Sequence, residues 1–383
     1  MRTRTIEDFA ALEALRDAYD DLLARSAAPQ VASTPAWLFA WWREFGRDDG
    51  RALRVVVVED ESLIGLVPLS TRRIWHRRAI PIRRLELLGR GEDPAAEVCS
   101  DYLGPIAARG RERDVASAFA QALTDGALGR WDELAMPAMS GDDPSLAHLR
   151  AQLAAHGAHV AVEQTDTSFH IPLPPTWDDY LKALKGQDRY VVTRALRELA
   201  AWAGPDGYAV TRATTRAELE EGKRVLRSLH SERWSADGRD GVFANARFRR
   251  FHDDVMADLF AGRDGASLDL AWLSVKGEPV AATYSLVFAN AISFYQSGRK
   301  LDVPKNVRVG IAMHALAIQA AIAARRAVYD FLGGDAQYKR QLSLATRPIV
   351  TLRAVAPTAR ARVLDVARGL SERAAAAVRE RRR

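Results

Sequence analysis

Twice in this chain a helical stretch gives way to an apolar strand hairpin, and that repetition limits the fold more than any other feature. Residues 53–58 and 63–69 are β-branched or apolar about the polar turn Glu59-Asp60-Glu61, as the arms of an antiparallel hairpin are. Residues 268–275 and 280–288 repeat the device about Lys276-Gly277-Glu278-Pro279, and 292–296 adds a third arm after Ala289-Asn290. Helices are expected around both hairpins. In the first half, Phe9, Leu12, Leu15, Tyr19, Leu22 and Leu23 mark an amphipathic helix over 6–23. Ser33-Thr34-Pro35 then opens a helix carrying Trp37, Trp41 and Phe45, an aromatic stripe that reads as core more readily than as a ligand wall. Further helices are expected at 114–123 and 145–156, with a strand at 131–135.

Three prolines in Ile171-Pro172-Leu173-Pro174-Pro175 end regular structure. The domain boundary is therefore placed at 165/166, giving domains 1–165 and 166–359 and a basic helical tail, 360–383. Beyond it, helices are expected at 177–184, 190–203 and 219–234. The second hairpin leads through a loop to a long helix, 309–325, with Ile311, Ala315, Ile318 and Ile322 on one face; strand 328–332, short helix 336–344 and strand 348–356 follow. The fold class is α+β, two domains each built on a mixed sheet flanked by helices.

A length of 383 residues accommodates two such domains, and 48% hydrophobic with 27% charged residues excludes overall disorder. The formal charge of +6 points at first to nucleic acid. Its position argues otherwise. Residues 360–383 hold eight Arg against Asp365, Glu372 and Glu380, so the body is close to neutral and no DNA partner is expected. The tail reads as solvated, with a membrane-surface contact as the other reading. Arg72, Arg73, His76, Arg77, Arg78, Arg83 and Arg84, interleaved with Trp75, Ile80 and Ile82, read either as a solvated hairpin face or as an anion patch. A single cysteine, Cys99, and no signal-peptide or membrane-span pattern fit a cytoplasmic protein.

There is no GxSxG elbow, no Walker loop and no HExxH. His156 and His159 lack nearby acidic or Cys partners, and no metal is expected. Three segments carry more chemistry. The loop 298–310, with Arg299, Lys305, Asn306 as the expected cap, Arg308 and Gly310, delivers a helix N-terminus suited to phosphate; a merely solvated loop is the alternative. The run Tyr329-Asp330-Phe331-Leu332-Gly333-Gly334-Asp335-Ala336-Gln337-Tyr338-Lys339 sets a carboxylate in an apolar strand, which demands a partner, and offers Tyr338 as a proton donor and Lys339 as an anion contact. In Leu229-His230-Ser231-Glu232-Arg233-Trp234, His230 or Glu232 could accept a proton and Trp234 could wall a pocket.

These segments, with Pro35-Ala36-Trp37, Trp41-Trp42, Ser100-Asp101-Tyr102 and Tyr295-Gln296-Ser297-Gly298, resemble the GNAT superfamily of acyl-CoA N-acyltransferases. The resemblance is to the double-domain group labelled cellulose-biosynthesis-type (CelD) acetyltransferases, with FemAB-like proteins as neighbours. It implies an intact GNAT domain in the second half and a diverged copy in the first. It also implies acetyl-CoA or another acyl-CoA as co-substrate, bound where the hairpin strands splay beside the long helix, with Arg299, Lys305, Arg308, Gly310 and Lys339 at the phosphates. Tyr338 would be the general acid, His230 or Glu232 the base with Asp335 behind it, and a backbone N–H of 281–288 the oxyanion donor. Arg233, Trp234, Tyr295, Asp330 and Tyr102 would contact substrate. The acceptor would be a small-molecule or glycan amine. A Fem-like transferase fed by aminoacyl-tRNA, and an inactive scaffold, are the alternatives.

Overall fold

The computed structural model describes residues 1–76 and 80–367. Arg77, Arg78 and most of the expected tail, 368–383, lie outside these; 359–367 are helical. The chain runs β1 (Arg2–Ile6), α1 (Phe9–Glu13), α2 (Arg16–Arg25), α3 (Pro35–Phe45), β2 (Ala52–Glu59), β3 (Leu63–His76), β4 (Ile80–Leu87), the short β5 (Ile106–Ala107), α4 (Glu112–Thr124), β6 (Glu133–Ser140), α5 (Pro144–Ala155) and β7 (His159–Pro172). It continues with α6 (Trp177–Ala183), α7 (Gly186–Ala203), β8 (Tyr208–Arg212), α8 (Arg216–Ser235), α9 (Ala246–Phe260), β9 (Ser267–Val275), β10 (Glu278–Phe288), β11 (Ala291–Arg299), α10 (Val309–Ala323), β12 (Val328–Asp330), α11 (Gln337–Leu342) and β13 (Ala345–Val355).

Both halves follow one topology. β1 to β4 form an antiparallel meander, and α4 carries the chain over to β6, parallel to β4. β8 to β11 form the second meander, and α10 crosses to β12, parallel to β11. The closing strands are exchanged: β7, from the first half, pairs antiparallel with β12, while β13, from the second, pairs antiparallel with β6. The described chain accordingly packs as two units, one of Met1–Glu92, Val98–Thr165 and the described residues from Ile349 onward, the other of Asp93–Glu97 and Asp166–Pro348.

The expected helix 6–23 is instead a strand and two helices. Ile6 is taken into the β1–β2 ladder opposite Val55, Asp8 caps α1 by accepting from the Ala11 N–H at 3.0 Å, and α2 restarts at Arg16. The aromatic stripe of α3 is core, with Trp37, Trp41 and Phe45 at most 1% exposed. The described part of the basic stretch forms the arms of the β3–β4 hairpin. In the second unit, Phe294, Ile318, Ile322, Tyr329 and Phe331 pack in one apolar cluster between α10 and the sheet, and Leu199, Leu273, Ala281 and Met313 in another.

Candidate active site

β11 organises the second unit. It pairs with β10 from the hairpin end to Arg299, interrupted by one bulge opposite Tyr284/Ser285 that makes Tyr295 the extra residue. With β12 it pairs over three positions only, ending at Ser293 opposite Asp330. The strands that part are therefore β11 and β12, and not the hairpin arms β10 and β11 as expected. The reason lies in the ladders: β10 is hydrogen-bonded to neighbours on both sides, β9 and β11, whereas β11 from Phe294 onward has lost its parallel partner. The 281–288 strand, expected to supply a backbone N–H, is paired on both sides, whereas β11 from Phe294 onward is unpaired on the β12 side.

Aromatic rings collect where the strands part. Phe294 meets the edge of His314 at 4.6 Å, and Tyr338 stacks on His314 at 5.1 Å with an interplanar angle of 15°. Phe331 closes the group, 5.5 Å from His314 and 6.1 Å from Tyr338. Burial raises the Tyr338 phenol above its ordinary value. Its hydroxyl has no hydrogen-bond partner among the described residues, so it stands protonated and available at neutral pH. His314 Nδ1 lies 3.3 Å from the Tyr329 hydroxyl, and burial, with the Lys339 charge second, drives its pKa down to about 3.

His230, 1% exposed on α8, meets β11 three residues further along. Its Nδ1 lies 3.0 Å from the Ser297 carbonyl, which can only accept, so Nδ1 carries the proton and Nε2 the bare lone pair. Nε2 is buried without a hydrogen-bond partner. Burial lowers the pKa most; the hydrogen bond to Ser297 pulls it back in part, and the Arg233 charge adds a smaller lowering. Two glycines make this placement sterically accessible. A Cβ on Gly298 would sit 2.5 Å from the His230 backbone nitrogen, and one on Gly241 would sit 2.8 Å from Nε2. Trp234 and Phe243 border the imidazole at 5.9 and 4.9 Å.

Glu232 is occupied differently, its Oε1 accepting the Leu301 N–H at 2.8 Å and anchoring the loop after β11. Arg233 pairs with Asp237 and lies over the Trp234 ring at 5.7 Å. Tyr295 bonds through its hydroxyl to Nε2 of the fully buried His252 at 3.0 Å, while His252 Nδ1 faces the Tyr284 hydroxyl at 3.3 Å. Asp330 finds the partners its apolar strand demands: its Oδ1 accepts the Leu332 N–H at 2.7 Å and Arg347 lies 3.5 Å from Oδ2. Asp335 is exposed and pairs with Arg340; Lys339 turns Nζ to the Gly333 carbonyl. Tyr102 belongs to the first unit, buried, with a left-handed φ of 63° and its N–H on the Ala138 carbonyl at 2.7 Å.

The loop after β11 ends on an open helix. Asn306 is not the cap; α10 starts only at Val309, and Arg308, at φ −104° and ψ 72°, occupies the cap position without a side-chain capping bond. A Cβ on Gly310 would touch nothing nearer than Arg299 Cδ at 3.5 Å, so the glycine leaves the first turn open beside that guanidinium. Lys305 and Arg308 are exposed on the same loop.

Sequence reasoning passed over His252 and His314. His314 carried a signal, being the one ionisable side chain in the apolar stretch of α10, Val309–Ala323. His252 sits in α9, a helix concealed among Arg and Asp residues.

The three buried imidazoles predict a pH dependence. Each is held neutral in the fold and regains an ordinary pKa near 6.5 when unfolded. A depressed folded pKa means that the unfolded chain takes up protons first. Stability is therefore complete above about pH 6.5 and falls on acidification, by up to about 1.4 kcal/mol per pH unit per imidazole, with His314 contributing down to about 3. Denaturant melts between pH 7.5 and 4.5 check this, and a flat profile would contradict it.

Residues 186–340 match the family model described as an acetyltransferase (GNAT) domain. No curated protein sequence matches the chain. Solved structures share the fold at low identity. FemX superposes with a TM-score of 0.61 at 11% identity, covering 93% of this chain and 98% of its own. The C-terminal domain of a putative lysylphosphatidylglycerol synthetase from Agrobacterium fabrum gives 0.53 at 13%, covering 92% and 94%. L-PGS from Bacillus licheniformis gives 0.52 at 14%, covering 95% and 98%.

Proposed function

Taking the chain as a GNAT-fold, Fem-like double-domain protein, we propose that it is an N-acyltransferase moving an acyl group, acetyl in the simplest case, from acyl-CoA to an amine. The observation that carries the reading is the parting of β11 from β12, with the unbonded Tyr338 hydroxyl at one end of the exposed stretch of β11 and the uncapped N-terminus of α10 after the other. The CoA pyrophosphate would take the N–H groups of the first turn of α10, with Gly310 open to it and Arg299, Lys305 and Arg308 around it. The thioester would lie along the bulged edge of β11, where a backbone N–H holds the developing oxyanion.

His230 Nε2 takes a proton from the acceptor amine, directly or through water, and the nitrogen attacks the thioester carbonyl. The tetrahedral intermediate collapses with cleavage of the C–S bond, and the leaving thiolate receives its proton from Tyr338. Glu232 holds the phosphate loop, Tyr295 fixes the bulge through His252, and Trp234 with Arg233 borders the base. Asp330 and Lys339 we assign to shaping the turn after β12. The acceptor is an amine on a small molecule or glycan, such as an envelope or polysaccharide precursor. Release of free CoA thiol from acetyl-CoA across a panel of amino sugars and polyamines tests the reading, and thiol release dependent on one class of amine is expected. A protein that releases no thiol but binds tRNA with steep salt dependence would be the Fem-like aminoacyl transferase instead.

A further inference from the structure

The first unit carries two adjoining concavities that play no part in this chemistry. One, of about 390 Å³, is walled mainly by Ala120, Leu123, Trp131, Leu153 and Pro357, between α4, α5 and the end of β13, with His156 and Arg360 also lining it. The other, of about 670 Å³, is an open groove along the β3–β4 hairpin lined by Arg54, Arg72, Arg73, Arg83 and Arg130, with Asp49 as its one acid. They share Arg83, Gly129 and Arg130. An apolar pocket thus opens beside a cationic groove, with two arginines at the junction.

The charges in the groove are unevenly answered. Arg83 is held by Asp132, Arg72 by Glu86 and Asp49, and Arg54 by Glu7. Arg73 and Arg130 have no acidic partner among the described residues. Arg73 lies directly opposite Arg83 across the β3–β4 ladder, a like-charge pair in which Asp132 answers Arg83 alone; in the neighbouring pair, Arg72 and Arg84 are answered by Glu86 and Glu133. Trp75, on the same face as Arg73, is 57% exposed. Together these features form a polar head site with an apolar socket beside it, within the volume range of ligand pockets.

We propose that this paired site binds an anionic amphiphile, a molecule with a phosphate head and a single apolar chain. The phosphate sits between Arg73 and Arg130, and the chain enters the socket lined by Leu123, Trp131 and Leu153.

Monoalkyl phosphates of eight, ten and twelve carbons, titrated calorimetrically into the full-length protein below their micellisation concentrations, test it. Affinity is expected to rise with chain length, by about fourfold for each methylene buried. Arg130→Glu should weaken binding at least tenfold. Ala158→Trp, which fills the socket, should abolish the chain-length dependence while leaving the weak head interaction. Circular dichroism checks that both variants fold, and each tests a different half of the site. Equal binding of inorganic phosphate, equal binding of a neutral alkyl glucoside, affinity indifferent to chain length, or binding only to anionic vesicles would each overturn the proposal.

Discussion

Replacing Tyr338 with Phe is expected to lower turnover about a hundredfold and to leave the KM for acyl-CoA and the melting temperature unchanged. The ring is a structural element, stacked on His314 and edge-on to Phe294 and Phe331, and Phe preserves every one of those contacts. The hydroxyl is not, since it bonds to nothing among the described residues. What the substitution removes is a hydroxyl whose pKa burial holds above its ordinary value, the proton donor of the proposed mechanism, and general acids contribute about 10²- to 10⁴-fold. An unchanged KM beside a reduced kcat marks an interaction made in the transition state. The measurement is steady-state thiol release by wild type and Y338F. Equal turnover would remove Tyr338 from the mechanism, and an inactive scaffold would lose nothing in any assay.

Gly298→Ala acts through the fold. The added Cβ would stand 2.5 Å from the His230 nitrogen and 2.7 Å from the Leu229 carbonyl carbon, both backbone atoms of α8, which no side-chain rotation can move aside. The helix must shift outward or the strand bend. Either costs about 1–3 kcal/mol, and a unit of this size loses roughly 2–4 °C of Tm for each kcal/mol. The shift also draws His230 from the Ser297 carbonyl that fixes its tautomer, so activity falls further than stability. Thermal melts and thiol release on G298A check both effects; a variant with unchanged Tm would mean that α8 does not approach β11 as described.

Much of this arrangement was legible in the sequence. The two hairpins, the α10 crossover and the proline-marked end of β7 follow from apolar period and turn residues, which are local signals. The Asp330 carboxylate announced its need for a partner because an apolar strand offers none, although Arg347 as that partner is a tertiary fact. The exchange of β7 and β13 was not legible, since no local pattern specifies which of two similar meanders a closing strand joins. Nor was the parting of β11 from β12: it depends on where the pairing with β12 stops, at Ser293 opposite Asp330, which no local residue pattern marks. His252 escaped because its value to the site comes from Tyr284 and Tyr295, 32 and 43 residues away in the chain.

The α10 N-terminus as the seat of acyl-CoA is the central claim, and calorimetric titration of acetyl-CoA into wild type and G310A tests it directly. The methyl group that this substitution adds would meet only Arg299 Cδ, at an ordinary 3.5 Å, and alanine improves helix propensity over glycine, so folding is unharmed. The methyl group does, however, occupy the space beside the first-turn N–H groups. The prediction is saturable binding of acetyl-CoA to wild type and roughly tenfold weaker binding to a G310A protein that melts no lower. No binding of acetyl-CoA or CoA by wild type, or identical binding by both proteins, would contradict it.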